Sequence, residues 1–143
     1  MKRVSLICFA NSRKNRGRCL AGKAIDAPHS WFRPIGNTKG TDLLDNEIRC
    51  KPQPMPLDVV SIPLKHHAPT GCQTENWRID GTKIWEVTGR IGWNEAQQHI
   101  DTPQVLFHGT DYGSHASHDR IPKDFADTFE SSLRLIHVPQ VSI

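Results

Sequence analysis

The chain of 143 residues lacks the features that would place it in several large classes of protein. Its apolar runs are only a few residues long, so we expect no segment that crosses a bilayer and no membrane partner. The apolar stretch at its start ends at Ala10, which is too short for a secretory signal, and we therefore expect a cytoplasmic protein. Its four cysteines include no CxxC pair, which argues against a zinc ribbon.

Signatures of catalysis are also missing, since the sequence has no HExxH, P-loop, GxSxG or GxGxxG motif. One segment, residues 108–120, still gathers three histidines and two aspartates in a run rich in glycine and serine. Such a run could hold a metal or supply a general acid and base for phosphodiester cleavage. Its spacing is loose for a metal site. We therefore expect no cofactor, no catalytic residue that can be assigned, and no tightly held metal at His108, His115, His118 or Asp119.

Acidic residues are scarce in the first third of the chain. Up to position 33, Asp26 alone opposes eight cations, which gives a charge of +7, whereas the remainder carries −4. Four of these cations follow directly on residues 4–10, an apolar run that predicts a strand. A cationic loop fixed to a strand suits a polyanionic partner, because it gathers phosphates without disturbing a core.

Short extended runs separated by turn residues predict a mainly β chain with few short helices. Strands are expected at residues 4–10, 31–35, 57–64, 77–79, 83–88, 90–93, 105–108 and 133–138. Asp80-Gly81 is a hairpin signal, and Pro63 indicates an edge position or a bulge. Helical turns are expected at residues 41–47, 93–100 and 122–130. Strands do not alternate with long helices, which favours small β-barrels.

The sequence also predicts where several individual residues lie. Cys8 is expected to pack as a small hydrophobe and Trp85 to lie in the core. Glu75 is expected to pair with a cation from the cationic loop. The proline cluster at residues 51–56 is either a linker or an ordered loop that leads into the next strand.

Six segments, taken in order, carry a family resemblance. They are LICFANSRKNRGRCLAGK at residues 6–23, WFRP at 31–34, LDVV at 57–60, ENW at 75–77, HDRI at 118–121 and SSLRLI at 131–136. Together they resemble the bacterial dual OB-containing domain over essentially the whole chain, with His118 where Asn would be expected. The resemblance implies one compact unit, residues 1–143, with two small OB-like barrels (about 1–64 and 65–143) or one barrel with an added sheet.

The same resemblance implies nucleic acid, DNA or RNA, as the partner, in a bacterial defence or mobile-element system. A larger effector protein is a second candidate partner. The residues support nucleic acid independently, because arginine and lysine neutralise phosphates and tryptophan stacks on unpaired bases. The candidate nucleic-acid-binding residues are Asn11, Ser12, Arg13, Lys14, Arg16, Arg18, Lys23, Trp31 and Arg33.

Two alternatives stay open at this point. The same cations could grip the phosphate of a single nucleotide between the barrels, which would make the chain a small-ligand sensor. The run at residues 108–120 could instead make it a nucleic-acid hydrolase. Salt dependence separates the first alternative from polymer binding, since contacts to several phosphates give a steep slope and a single nucleotide gives a shallow one.

Overall fold

The computed structural model describes residues 2–14, 17–37, 43–103 and 121–139, and all structural statements below concern these residues. Seven strands and three short helical turns form in them. The strands are β1 (Lys2–Lys14), β2 (Gly17–Ala24), β3 (Ala27–Ile35), β4 (Leu43–Leu44), β5 (Asp58–His67), β6 (Asn76–Ile79) and β7 (Glu86–Arg90). The helices are α1 (Trp93–Ala96), a 3-10 turn (Gln97–His99) and α2 (Lys123–Ala126).

Five of the strands close into a barrel. β1, β2 and β3 form an antiparallel meander, β3 pairs in parallel with β6, β6 pairs with β5, and β5 returns to pair with β1. β4 adds to β2 and β7 adds to β5 outside this circuit. The expected mainly β fold is therefore confirmed, in the form of one barrel with added strands among the described residues.

The alternation of apolar residues along the strands explains where the core lies. On β1, Val4, Leu6 and Cys8 point inward and Ile7 points outward, and all four are buried. The inner cluster also contains Trp85, 2% exposed, so the expectations for Cys8 and Trp85 are confirmed. Ile7 belongs instead to a second cluster with residues of β5 and α1, which packs on the outside of the barrel.

Gly22, in the signature segment at residues 6–23, is required by the close packing of β1 against β2. A Cβ at this position would lie 2.2 Å from the backbone oxygen of Ile7. Gly22 pairs with Cys8 just before the register shifts on β1 between Cys8 and Ala10. A glycine is therefore needed for the two backbones to meet at this irregular point.

The way in which the strands pair shows that three local predictions are wrong. The basic segment is a hairpin rather than a loop, because β1 continues to Lys14 and β2 begins at Gly17. The runs around Asp80-Gly81 do not form a hairpin, since β6 and β7 both pair with β5. Leu43–Leu44 is a short strand on β2 rather than a helical turn.

The strand expected at residues 90–93 does not form, because β7 ends at Arg90 and α1 begins at Trp93, but other local expectations hold. The helical turn at residues 93–100 is confirmed, and four residues of the one expected at 122–130 are helical. Pro63 lies in β5 between the stretches that pair with β7 and with β6, and its carbonyl accepts a bond from Asp80 N on that side. The N–H and C=O of a strand residue point to the same side of the strand. The N–H that Pro63 lacks would therefore point away from β1, so its absence removes no bond between β1 and β5.

The proline cluster is an ordered loop rather than a linker. Pro54 is buried, Met55 N donates to Asp58 Oδ2 (2.8 Å), and Leu57 N donates to Cys8 O (2.7 Å). Residues 133–138 belong to no strand, which corrects the prediction of a C-terminal strand. The strand predicted at residues 105–108 lies outside the described residues. In the described part of the chain, no helix combines the length and the apolar character needed to cross a membrane.

Candidate nucleic-acid interface

Several of the candidate residues meet at the closed end of the β1–β2 hairpin, here called the hairpin tip. Arg13 of β1 lies directly opposite Arg18 of β2, so two like charges face each other across the strands. Asp45, which follows β4, offsets this repulsion. Its Oδ1 accepts a bond from Arg18 Nε at 2.7 Å, and its Oδ2 lies 3.9 Å from Arg13 NH1. The hydrogen bond from Arg18 is the main reason that the pKa of Asp45 is below its usual value.

The two arginines at the tip differ in freedom. The Arg13 side chain is 77% exposed, whereas that of Arg18 is 16% exposed and also donates to Asn11 Oδ1 at 3.3 Å. Asn11 in turn donates to Pro54 O at 2.7 Å, which ties the hairpin to the proline loop. Ser12 is exposed beside them. Arg18 and Asn11 therefore shape the tip, and Arg13 presents its charge to solvent.

Lys23 does not join this surface. Its side chain is fully buried, and Nζ donates to Asp101 Oδ1 and to His99 O, both at 2.5 Å. Burial alone would raise the pKa of Asp101, but hydrogen bonds from Lys23, Leu135 N and Trp31 outweigh it and lower that pKa. The expectation that Lys23 lies on an exposed cationic surface is therefore corrected. Its charge holds residues 99–101 against β2.

Arg33 is placed in a similar way. It is 8% exposed, and its NH2 lies 2.9 Å from Glu75 Oε1 and 2.8 Å from the Ser132 hydroxyl. Ser132 also donates to Glu75 Oε1. Glu75 does pair with a cation, as expected, but the partner is Arg33 of β3 rather than a residue of the cationic loop. Three of the signature segments, WFRP, ENW and SSLRLI, thus meet in one polar cluster whose ion pair is buried, so an exposed position for Arg33 is also corrected.

The C-terminal segment, residues 129–137, crosses the outside of the barrel beside this cluster. The Thr74 hydroxyl donates to Glu130 O at 2.6 Å. Leu135 N donates to Asp101 Oδ2 at 2.8 Å, and Leu135 O accepts from Asp101 N at 2.7 Å. These contacts fix the segment on both sides of Ser132. It therefore covers part of the outer face of β2 and β3, where Lys23 and Arg33 lie.

A cleft of about 300 Å³ remains between the first half of β3, the loop from β5 to β6 and the C-terminal segment. We call it the polar cleft. The residues that define it include His29, Trp31, His67, Thr74, Trp77 and Arg134. Of these, the sequence indicates Trp31 as a candidate, includes Trp77 only as one of the four tryptophans that could stack on bases, and does not indicate the other four. No local signal could have found them, because they come from four separate segments that meet only in the fold.

The remaining candidates are wholly or partly outside the residues that the structure describes. Arg16 and the side chain of Lys14 are outside the described residues, as is the histidine-rich run at 108–120. Within the described part of the chain, no three His, Cys, Asp or Glu side chains are grouped closely enough to hold a metal ion.

A comparison of the sequence with models of protein families agrees with the barrel. The model of the family described as the dual OB-containing domain matches residues 4–143. No curated protein and no solved structure is similar to the chain at a significant level. With a five-stranded closed barrel and a match over nearly its whole length, the chain belongs to the dual OB-containing domain family.

Proposed function

We propose that this chain is a nucleic-acid-binding module whose backbone contacts are made at the hairpin tip. OB barrels commonly bind oligonucleotides with the loop between their first two strands and the face of strands two and three. The hairpin tip is that first loop here. The single observation that carries the proposal is the cross-strand pair of Arg13 and Arg18, with Lys14 and Arg16 next to it in sequence.

The charge balance at the tip supports this proposal. Arg13 and Arg18 bring two positive charges to the tip, Lys14 and Arg16 add two more in the sequence between them, and Asp45 removes one. Arg13 is exposed and its distance of 3.9 Å from Asp45 makes this a weak surface contact. Its guanidinium can therefore turn to a phosphate at little cost, whereas Arg18 stays bonded to Asp45 and Asn11.

The test is a binding titration of labelled single- and double-stranded DNA and RNA at several salt concentrations. Substitution of Arg13, Lys14 and Arg16 by Ala should weaken binding at every sequence. It should also flatten the plot of log K against log salt concentration by about one unit for each phosphate that the protein no longer neutralises. A matched variant that removes Lys65, Lys83 and Arg90, which are exposed away from the hairpin tip, should keep both the affinity and the slope.

Equal affinity and slope in wild type and the tip variant, with the fold intact, would overturn the proposal. A wild-type slope of about one unit or less would instead favour the small-ligand sensor, because a single nucleotide offers few phosphate charges. The role in a defence or mobile-element system, a larger effector protein as partner, and the hydrolase alternative that rests on residues 108–120 all stay predictions.

A further inference from the structure

The polar cleft has the composition of a site for an aromatic anion. It brings two indole rings, Trp31 and Trp77, and two imidazoles, His29 and His67, to the rim of one cavity of about 300 Å³. Trp31 and Trp77 are half-buried, so part of each ring remains accessible. Aromatic side chains at such a rim are suited to stacking on planar ligands.

The two indoles are held in place by the protein itself. Trp31 Nε1 donates to Asp101 Oδ2 at 3.0 Å, and Lys23 Nζ lies 5.1 Å from the centre of the Trp31 ring. Trp77 packs against Phe32 and His67, with ring centres 5.6 and 5.0 Å apart. A ligand would therefore meet rings that are already oriented, and little conformational entropy would be lost on binding.

The charges around the cleft favour an anion. Its two carboxylates are already matched, Asp101 by the buried Lys23 and Glu75 by the buried Arg33. Arg134 is exposed at the rim, and among the described residues its side chain bonds the Leu133 carbonyl and forms no ion pair. Lys2 is not one of the residues that line the cleft, but its Nζ lies 4.4 Å from the centre of the Trp77 ring and adds positive charge beside it.

The tip and the cleft are placed so that one strand of nucleic acid can contact both. Lys23 is the partner of Trp31 across β2 and β3, and it lies six residues along β2 from Gly17 at the tip. At about 3.3 Å per residue this is about 20 Å. That distance is within the length of the several nucleotides that an OB barrel usually covers.

Resting on the proposed function, we propose that the polar cleft holds one unpaired nucleotide, with its base against Trp31 and Trp77 and its phosphate at Arg134. A base in a duplex is stacked on both sides and paired, so it cannot enter a cleft of this size without leaving the helix. The chain should therefore prefer single strands to duplexes of the same sequence.

The experiment compares two probes of equal charge. One is a six-residue oligothymidylate, and the other is a six-residue strand with abasic sites throughout, which has the same phosphates and no bases. Wild type should bind the oligothymidylate at least about fivefold more tightly, since stacking on one base contributes a factor of about 5 to 150. Equal affinity for the two probes would overturn this inference and leave the proposed function standing, whereas binding of neither would contradict both.

Variants then locate the base. Trp31→Ala should remove the preference for the base-bearing strand, and Trp93→Ala, an equally large truncation at a ring that is 74% exposed outside the cleft, should keep it. Arg134→Ala removes an exposed side chain, so the fold should survive even if Trp31→Ala unfolds the protein. It should weaken binding of both probes and lower the salt slope by about one unit. If Arg134→Ala behaves like Trp93→Ala, the nucleotide is not held in this cleft and the inference is wrong.

Discussion

Substitution of Lys23 by Met separates the structural from the ligand-binding interpretation of this lysine. Met has a similar length and keeps most of the buried volume, but it removes the charge that faces Asp101 at 2.5 Å and the donor to His99 O. The Asp101 carboxylate, 15% exposed, would keep its bonds from Trp31 Nε1 and Leu135 N. Breaking a buried pair costs about 3–5 kcal/mol, and the two remaining donors place this case near 3 kcal/mol.

The assay is thermal and urea unfolding followed by circular dichroism. For a domain of this size, about 3 kcal/mol corresponds to a fall in Tm of roughly 10 °C. The exposed Lys65→Met is the matched control and should change the free energy of unfolding by less than about 0.5 kcal/mol. If Lys23→Met is as stable as wild type and binds nucleic acid more weakly, Lys23 is a phosphate ligand rather than an internal anchor, and the structural role given to it here is wrong.

Four further predictions follow from individual interactions. Gly22→Ala should lower the free energy of unfolding, measured in urea, by about 1–3 kcal/mol, because its Cβ would meet a backbone oxygen. Gly89→Ala, which has open space around it, should have little effect. Equal effects of the two substitutions would contradict the packing described for Gly22. The pKa of Asp101 is lowered in the folded state, so the stability that its carboxylate contributes is present above its ordinary pKa of 3.8 and is lost as pH falls through the lower, folded value. Asp101→Asn should therefore make the free energy of unfolding fall less steeply at acid pH. An unchanged fall would count against the pairing of Asp101 with Lys23. Burial, with a smaller contribution from Asp58, raises the pKa of the Cys8 thiol to about 12. In native protein, iodoacetamide should therefore label the half-buried Cys19 and Cys72 well before Cys8, as measured by mass spectrometry. Early labelling of Cys8 would argue against its place in the core. Asp45→Asn removes the carboxylate that competes for Arg13 and Arg18, so it should strengthen binding of single-stranded DNA in a titration, and weaker binding would show that Asp45 orients the tip instead.

The strands that could be predicted from sequence are those with their own alternating pattern. β1 and β5 carry apolar residues at every second position, and this local pattern is enough to identify a half-buried strand. The hairpin predicted at Asp80-Gly81 is wrong because a turn signal does not reveal which strands pair. Asp80 does form a tight turn, with Oδ1 accepting bonds from the N–H and hydroxyl of Thr82, but β6 and β7 on either side of it both pair with β5.

The candidate site could be predicted only in part, for a related reason. Charge alone does not tell an exposed lysine from one that is buried against a distant carboxylate. Lys23 and Asp101 are 78 positions apart, so their pairing exists only in the folded chain. Arg13 and Arg18 are only five positions apart and share a hairpin, which is why the tip could be recognised from its local cluster of cations. The polar cleft depends on four separate segments, and no local pattern indicates it.

Cross-linking tests the central claim, that this barrel binds nucleic acid through the hairpin tip and the polar cleft, most directly. Single-stranded oligonucleotide would be cross-linked to wild-type protein by ultraviolet light at low salt, and the attached peptides mapped by mass spectrometry. The central claim predicts cross-links within residues 11–18 at the tip, and within residues 29–31, 74–77 and 131–134 at the cleft, which weaken as salt is raised. Cross-links confined to other parts of the barrel, or none at a protein concentration well above the measured Kd, would contradict it.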